Sequence, residues 1–438
     1  MKMNKTVLAL SATALLSNIV FADDATDIAE LKQQMAEMQE NQQAMVDETS
    51  NAQVGFTTVD TSFSHNGMGA AASKVYNSKS PLSIGGYGDM YFASTNKTGK
   101  DNISDVYHFV PYIGYKFTDN IILNTEIEFE HGGSNAEEAI GAGSAKAEGY
   151  AIIEFMYLDF LMYQSFNIQA GHLLVPMGLI NLRHEPTLYN TVQKPLTEKY
   201  IIPATWHATG VNSYGTFGET GLSYNAGITQ ALDLNNGSNG SSKQVRSGRP
   251  GSTGKTAFNR AAVVGRLDYR GVNGLLVGAS MYYGAATQGT VSGSRALIYD
   301  VHATYEIAGF KAKGLYGATS IDGADDIATN SGANPAASMT DSNGYYLNLE
   351  YNVLAAVGTT YTLPIFVQYD YINPATNVVD ATDTNIATDV GETVTTTVGM
   401  NFFPHEQVVL KADYAMTDVK AAGAEDYNTF SLGLGFIF

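Results

Sequence analysis

The residues able to do chemistry in this 438-residue chain point to electrostatics rather than to bond making. Gly248-Arg-Pro-Gly-Ser-Thr-Gly254-Lys255-Thr256 has the glycines, the lysine and the hydroxyl of a phosphate-cradling loop. One residue too many separates Gly248 from Gly254, and neither flank reads as the strand and helix such a loop requires. No Gly-x-Ser-x-Gly elbow and no His-Glu-x-x-His pair occurs, and the eight histidines are scattered. With no cysteine, thiolate chemistry, disulfides and Cys-based metal sites are absent. The chain is therefore expected to be no enzyme, with no catalytic, cofactor-binding or metal residues and no cofactor.

Charged groups are what remain. Residues 175–207 carry Arg183, His184, Glu185, Lys194 and Lys199, together with four of the eleven prolines and the sole Trp206. Prolines lower the entropy cost of ordering a loop, so this stretch suits packing. A second set is basic: Lys243, Arg246, Arg249, Lys255, Arg260, Arg266 and Arg270, with Asp268 the one acid among them. Focused positive potential there would attract anions. Against it stand Glu126, Glu128 and Glu130, the acids Asp322, Asp325, Asp326, Asp380, Asp383 and Asp389, and a net charge of −19 that makes nucleic acid an improbable partner.

The elements that must position these groups are strands. From Pro81 onward polar and apolar residues alternate with period two: Leu123, Thr125, Ile127 and Phe129 share one face, and Asn124, Glu126, Glu128 and Glu130 the other. Sixteen segments follow this code: 82–92, 106–117, 121–130, 151–161, 165–174, 208–216, 220–230, 260–270, 274–284, 297–307, 309–318, 344–354, 362–371, 393–403, 407–416 and 428–438. Tight turns such as Thr118-Asp119-Asn120 and Ala308-Gly309 alternate with long loops near 131–150, 175–207, 231–259, 319–343 and 372–392. Past the N-terminus no apolar run is long enough for a membrane helix, so membrane residence requires a closed barrel. The expectation is an all-β transmembrane antiparallel barrel of about sixteen strands over 81–438, with a wet lumen and an apolar exterior.

The N-terminal part follows other rules. Residues 1–22 read as a secretory signal, with Lys2 and Lys5 before an apolar core and cleavage after Ala22. In 23–48, Ile28, Leu31, Met35, Met38, Gln42 and Met45 form an a/d seam, read either as a short periplasmic coiled coil or as a solvated amphipathic helix. Residues 49–80, rich in Ser, Asn, Ala and Gly, read as a linker.

Two segments carry a family resemblance. Phe430, Leu432, Leu434, Phe436 and the terminal Phe438 alternate with small residues, similar to the signal that outer-membrane barrels show to their assembly machinery. Gly171-His-Leu-Leu-Val-Pro-Met-Gly178 resembles a segment of trimeric porins of the phosphate-selective and related kinds, which also carry an N-terminal coiled coil. The resemblance implies a homotrimeric bacterial outer-membrane porin for passive diffusion of small polar or charged solutes. It also implies a third external loop, 175–207, that constricts the pore, with Arg183, His184, Glu185, Lys194 and Lys199 lining it. The alternative for those five is the solvated loop surface, and for the basic stretch it is contact with lipopolysaccharide. The implied partners are outer-membrane lipid, lipopolysaccharide, and small solutes or ions. A plug-less barrel dedicated to one substrate, for example a metal chelate, is the competing reading.

Overall fold

The computed structural model describes residue 33 and residues 58–133, 149–235, 244–252, 255–332, 338–378, 391–420 and 423–438. The expected signal peptide, the whole heptad seam (residues 23–48 apart from Gln33), and the first part of the linker lie outside the described residues. Two compact units divide the chain, Met1–Thr57 and Thr58–Phe438, and all the strands belong to the second.

Sixteen strands form: β1 Leu82–Thr95, β2 Ile103–Thr118, β3 Ile121–Glu130, β4 Tyr150–Tyr163, β5 Phe166–Leu174, β6 His207–Thr216, β7 Leu222–Gln230 and β8 Ala261–Tyr269, then β9 Leu275–Ala285, β10 Arg295–Ile307, β11 Phe310–Asp322, β12 Met339–Asn352, β13 Pro364–Val378, β14 Thr393–His405, β15 Val408–Val419 and β16 Tyr427–Ile437. Each pairs antiparallel with its sequence neighbours, and β1 pairs with β16, so the sheet closes with no free edge. Every predicted segment is a strand. The tight-turn ends agree within a few residues because Gly, Asn and Asp specify them; Ala308 and Gly309, both at positive φ, make the reversal between β10 and β11. Several of the other ends run further than predicted, most of all in β11, β12 and β13, because ladder pairing continues beyond the residues that alternate cleanly.

Parity sets the two surfaces. In β3 Ile122, Asn124, Glu126, Glu128 and Glu130 are buried, whereas Phe129 is exposed. Met156, Val211, Leu267, Tyr283, Val301, Leu347, Met400 and Leu432 are exposed from β4, β6, β8, β9, β10, β12, β14 and β16, giving an apolar exterior. A closed barrel of this kind satisfies its backbone groups within the sheet, the condition for residence in hydrocarbon. Among the described residues no helix is long and apolar enough to cross a membrane. Phe438 completes the seam: its N–H donates to the Gly86 carbonyl and its carbonyl accepts from the Gly86 N–H, both at 2.9 Å.

Residues 58–80 are not a linker. They pack inside the barrel near its tight-turn end, with a short helix, Ala70–Asn77, against β1, β2 and β3. Small residues make the fit possible. Ala70, Ala71 and Ala72 are buried, Val75 fills the space over Gly114, and the Asn124 amide donates to the Ala72 carbonyl at 2.9 Å. Tyr76 donates to Asp159 on β4 at 2.7 Å. The Ser/Asn/Ala/Gly composition that suggested solvent is what lets a chain pass between wall and loop.

Candidate functional site

Among the described residues, charged groups from many strands converge in the lumen, and residues 175–206, between β5 and β6, are folded into it. The base of this loop is closed by the Val175 N–H donating to the Trp206 carbonyl at 2.8 Å. Asn181 reinforces the closure, donating to the carbonyls of Val175 (2.6 Å) and Trp206 (2.9 Å) and accepting from the Trp206 N–H (2.7 Å). Apolar anchors complete the root: Val175, Met177, Ile201, Ile202 and Trp206 join Tyr282, Ile298, Leu315 and Tyr346 in one buried cluster.

From this root the loop reaches across the barrel. Pro186 and Val192 lie against Gly435 and Gly433 of β16, where any larger side chain would collide or crowd. The Lys411 ammonium on β15 donates to the carbonyls of Tyr189 (2.7 Å) and Thr191 (3.1 Å) and sits 4.0 Å from the Tyr189 ring centre. Asp413 accepts from the Val192 N–H at 2.6 Å. On β13 Asp370 accepts from the Thr197 hydroxyl at 2.9 Å, and on β10 Asp300 accepts from the Gly178 N–H at 3.1 Å. On β11 Lys313 donates to the Leu188 carbonyl (3.2 Å) and to Asn190 Oδ1 (2.7 Å), so inward-facing Lys411, Lys313, Asp370, Asp413 and Asp300 are the loop's holders. Strand parity turns them inward, but nothing in the sequence pairs them with loop residues.

The five loop candidates separate. His184 and Glu185 are buried: His184 meets Glu126 at 3.0 Å, and Glu185 accepts from the Ala72 N–H at 3.1 Å, so neither lines open space. Lys194 and Lys199 are half-buried, with the Lys199 ammonium 5.7 Å from the Tyr200 ring centre. Arg183 is exposed and lines a cavity of about 630 Å³ on the tight-turn side of the loop, together with Lys311, Lys313, Glu306 and Glu350.

The basic stretch is not one patch. Lys243 lies outside the described residues. Arg249 is spent on the loop's end, donating to the carbonyls of Ala204 (2.7 Å) and Thr205 (2.6 Å). Arg266 is buried between Asp268 (3.0 Å) and His302 (3.0 Å), and Arg270 stands at the tight-turn end, 3.3 Å from Asp268. Lys255 and Arg260 are exposed and Arg246 half-buried. A strand crossing the barrel wall separates residues that are adjacent in sequence, which disperses what looked like a cluster.

The burial of Glu198 predicts a pH response of the loop. Its carboxylate accepts from the Ile180 N–H and the Tyr346 hydroxyl, both at 2.6 Å, yet burial outweighs these donors and pushes its pKa up to about 7. A carboxyl whose folded pKa is raised contributes most to stability when protonated, and this contribution is lost as pH rises through about 7. Acrylamide quenching of the sole tryptophan, Trp206, at the loop's root, should therefore fall as pH drops from above 7 toward 4.5, and Glu198→Gln should remove the response. An equal response in the variant would assign it to another group.

The closed sixteen-stranded antiparallel barrel has counterparts among solved outer-membrane structures. Solved structures share the fold: OmpF of Salmonella typhi in complex with daunomycin (TM-score 0.52, 12% identity, covering 82% of this chain and 97% of that one) and the outer membrane channel DcaP of Acinetobacter baumannii (TM-score 0.51, 10% identity, 82% and 97%). No protein-family model matches the sequence. The chain is 30% identical over 362 residues, 81% of its length and 80% of the relative's, to an uncharacterized protein of Aquifex aeolicus (strain VF5), and it belongs to the same family as that protein.

Proposed function

We propose that this protein is an outer-membrane porin, a water-filled channel for passive diffusion of small polar or charged solutes, narrowed by residues 175–206. The observation that carries the reading is the loop's course inside a closed barrel with an apolar exterior. A sixteen-stranded barrel encloses an aqueous channel that needs narrowing before it can discriminate. In this reading the tight turns face the periplasm and the long loops the exterior. The signal peptide is removed after Ala22, the seam at 28–45 joins three copies into a homotrimer, and the exterior meets outer-membrane lipid and lipopolysaccharide. Charge preference is modest, because basic Arg183, Lys311 and Lys313 are offset by Glu306 and Glu350 in the inner cavity. This departs from the phosphate selectivity that the family resemblance suggests.

One observation favours the dedicated-uptake alternative: residues 58–80 share the lumen with the loop, leaving less room than an unobstructed barrel would have. Swelling of liposomes containing the purified protein separates the two. Rates that fall smoothly with the size of neutral sugars support the porin, and no swelling with any sugar supports the dedicated barrel.

A further inference from the structure

Where the inward loop meets the acidic wall, Glu126 of β3, Glu154 of β4 and His184 of the loop bring two carboxylates and an imidazole together, with one ligand atom from each lying within 4.8 Å of the others. All three are buried, at 0%, 0% and 3% exposure. Glu154 faces inward because of a register irregularity: Glu126 pairs with Phe155 and Ile127 with Ile153, so the residue between is extra. Bulges of this kind re-aim a side chain and recur beside functional sites.

Neither oxygen of Glu154 has a hydrogen-bond partner, nor has Oε2 of Glu126. No Lys or Arg forms an ion pair with either carboxylate among the described residues. The imidazole's orientation adds a constraint. Its Nδ1 lies 2.8 Å from the Asn181 carbonyl, which can only accept, so Nδ1 carries a hydrogen. Nε2 then points at Glu126 Oε1 at 3.0 Å and Glu154 Oε2 at 3.6 Å. A neutral ring aims a lone pair at the two carboxyl groups, and a cation held between the three groups would satisfy all of them at once.

We propose that this is a binding site for a divalent transition-metal ion, which ties the loop 175–206 to β3 and β4. Two carboxylates neutralise a divalent ion, as burial requires. Bond lengths of roughly 2.0–2.2 Å for Zn–N and Zn–O put tetrahedral ligands about 3.3 Å apart, between the two distances found here. The Asn181 carbonyl supplies the outer hydrogen bond that fixes the tautomer of a metal-ligating histidine. Neither the donor set nor the site depends on the protein being a channel.

The test uses the purified full chain, stripped with a chelator and titrated with Zn²⁺ by calorimetry in a His108→Asn background. That background disables the neighbouring group of His108, Glu128 and Glu130, which is a second possible ligand set. The expected result is one Zn²⁺ per chain, with binding weakened at least about tenfold by Glu154→Gln and by His184→Asn and unchanged by Glu130→Gln. Heat-modifiable migration on a denaturing gel verifies that each variant is a folded barrel, and the near-isosteric Glu154→Gln guards against a folding defect. No Zn²⁺ uptake by the folded barrel, or equal uptake in the variants, would overturn the site and leave a proton on His184 as the charge between the carboxylates.

Discussion

Removing Asn181–Leu196 from the inward loop should raise single-channel conductance several-fold while the barrel still assembles. The strand ladder from β1 round to β16 does not pass through this segment, so its hydrogen bonds survive. What is lost is the material spanning the lumen: Pro186 and Val192 against β16, Tyr189 and Thr191 on Lys411, and Leu196 on Asp370. Burying a charge without a partner is costly, but these partners would then face a water-filled lumen and be hydrated. The Asn181 clamp goes too, so the stump at 175–180 is free to move away from the channel axis. A folded variant with unchanged conductance would mean that the narrowest point lies elsewhere, and residues 58–80 would be the next candidate.

Reversing the charge of Arg183 should move ion preference toward cations. It is the only one of the five loop candidates that is exposed, and it shares its cavity with Lys311, Lys313, Glu306 and Glu350. Arg183→Glu changes that set from three basic and two acidic groups to the reverse. The reversal potential in asymmetric KCl should shift accordingly, and the shift should shrink with salt as screening shortens the reach of the charge to about 8 Å or less. Arg260→Glu, an exposed position next to the start of β8, should have a smaller effect. If the two variants shift the potential equally, selectivity is set by the field of the whole protein rather than by the inner cavity.

The fold was legible where local pattern decides structure. Period-two alternation in segments such as 121–130 and 297–307 fixed both the strands and their faces, because a one-residue slip would turn every charged group toward lipid. Turn chemistry at Thr118-Asp119-Asn120 and Ala308-Gly309 placed the strand ends. The small residues of the last strand, Ser431, Gly433 and Gly435, were legible as a face, but the reason for them was not: two of them make room for Val192 and Pro186, which are more than two hundred residues away. The same limit hid the partners of His184 and Glu185. Their charges suggested a lining, whereas burial uses them to join the loop to Glu126 and to Ala72. Residues 58–80 were illegible for a different reason. Short polar and small residues read as solvated when no partner is in view, and the partner here is the inside of a barrel.

Single-channel recording of the purified full-length protein in planar bilayers, in asymmetric KCl, tests the central claim most directly. The porin reading predicts stepwise insertions with a nearly ohmic open conductance and a small reversal potential. A folded protein that inserts but passes no current would contradict it.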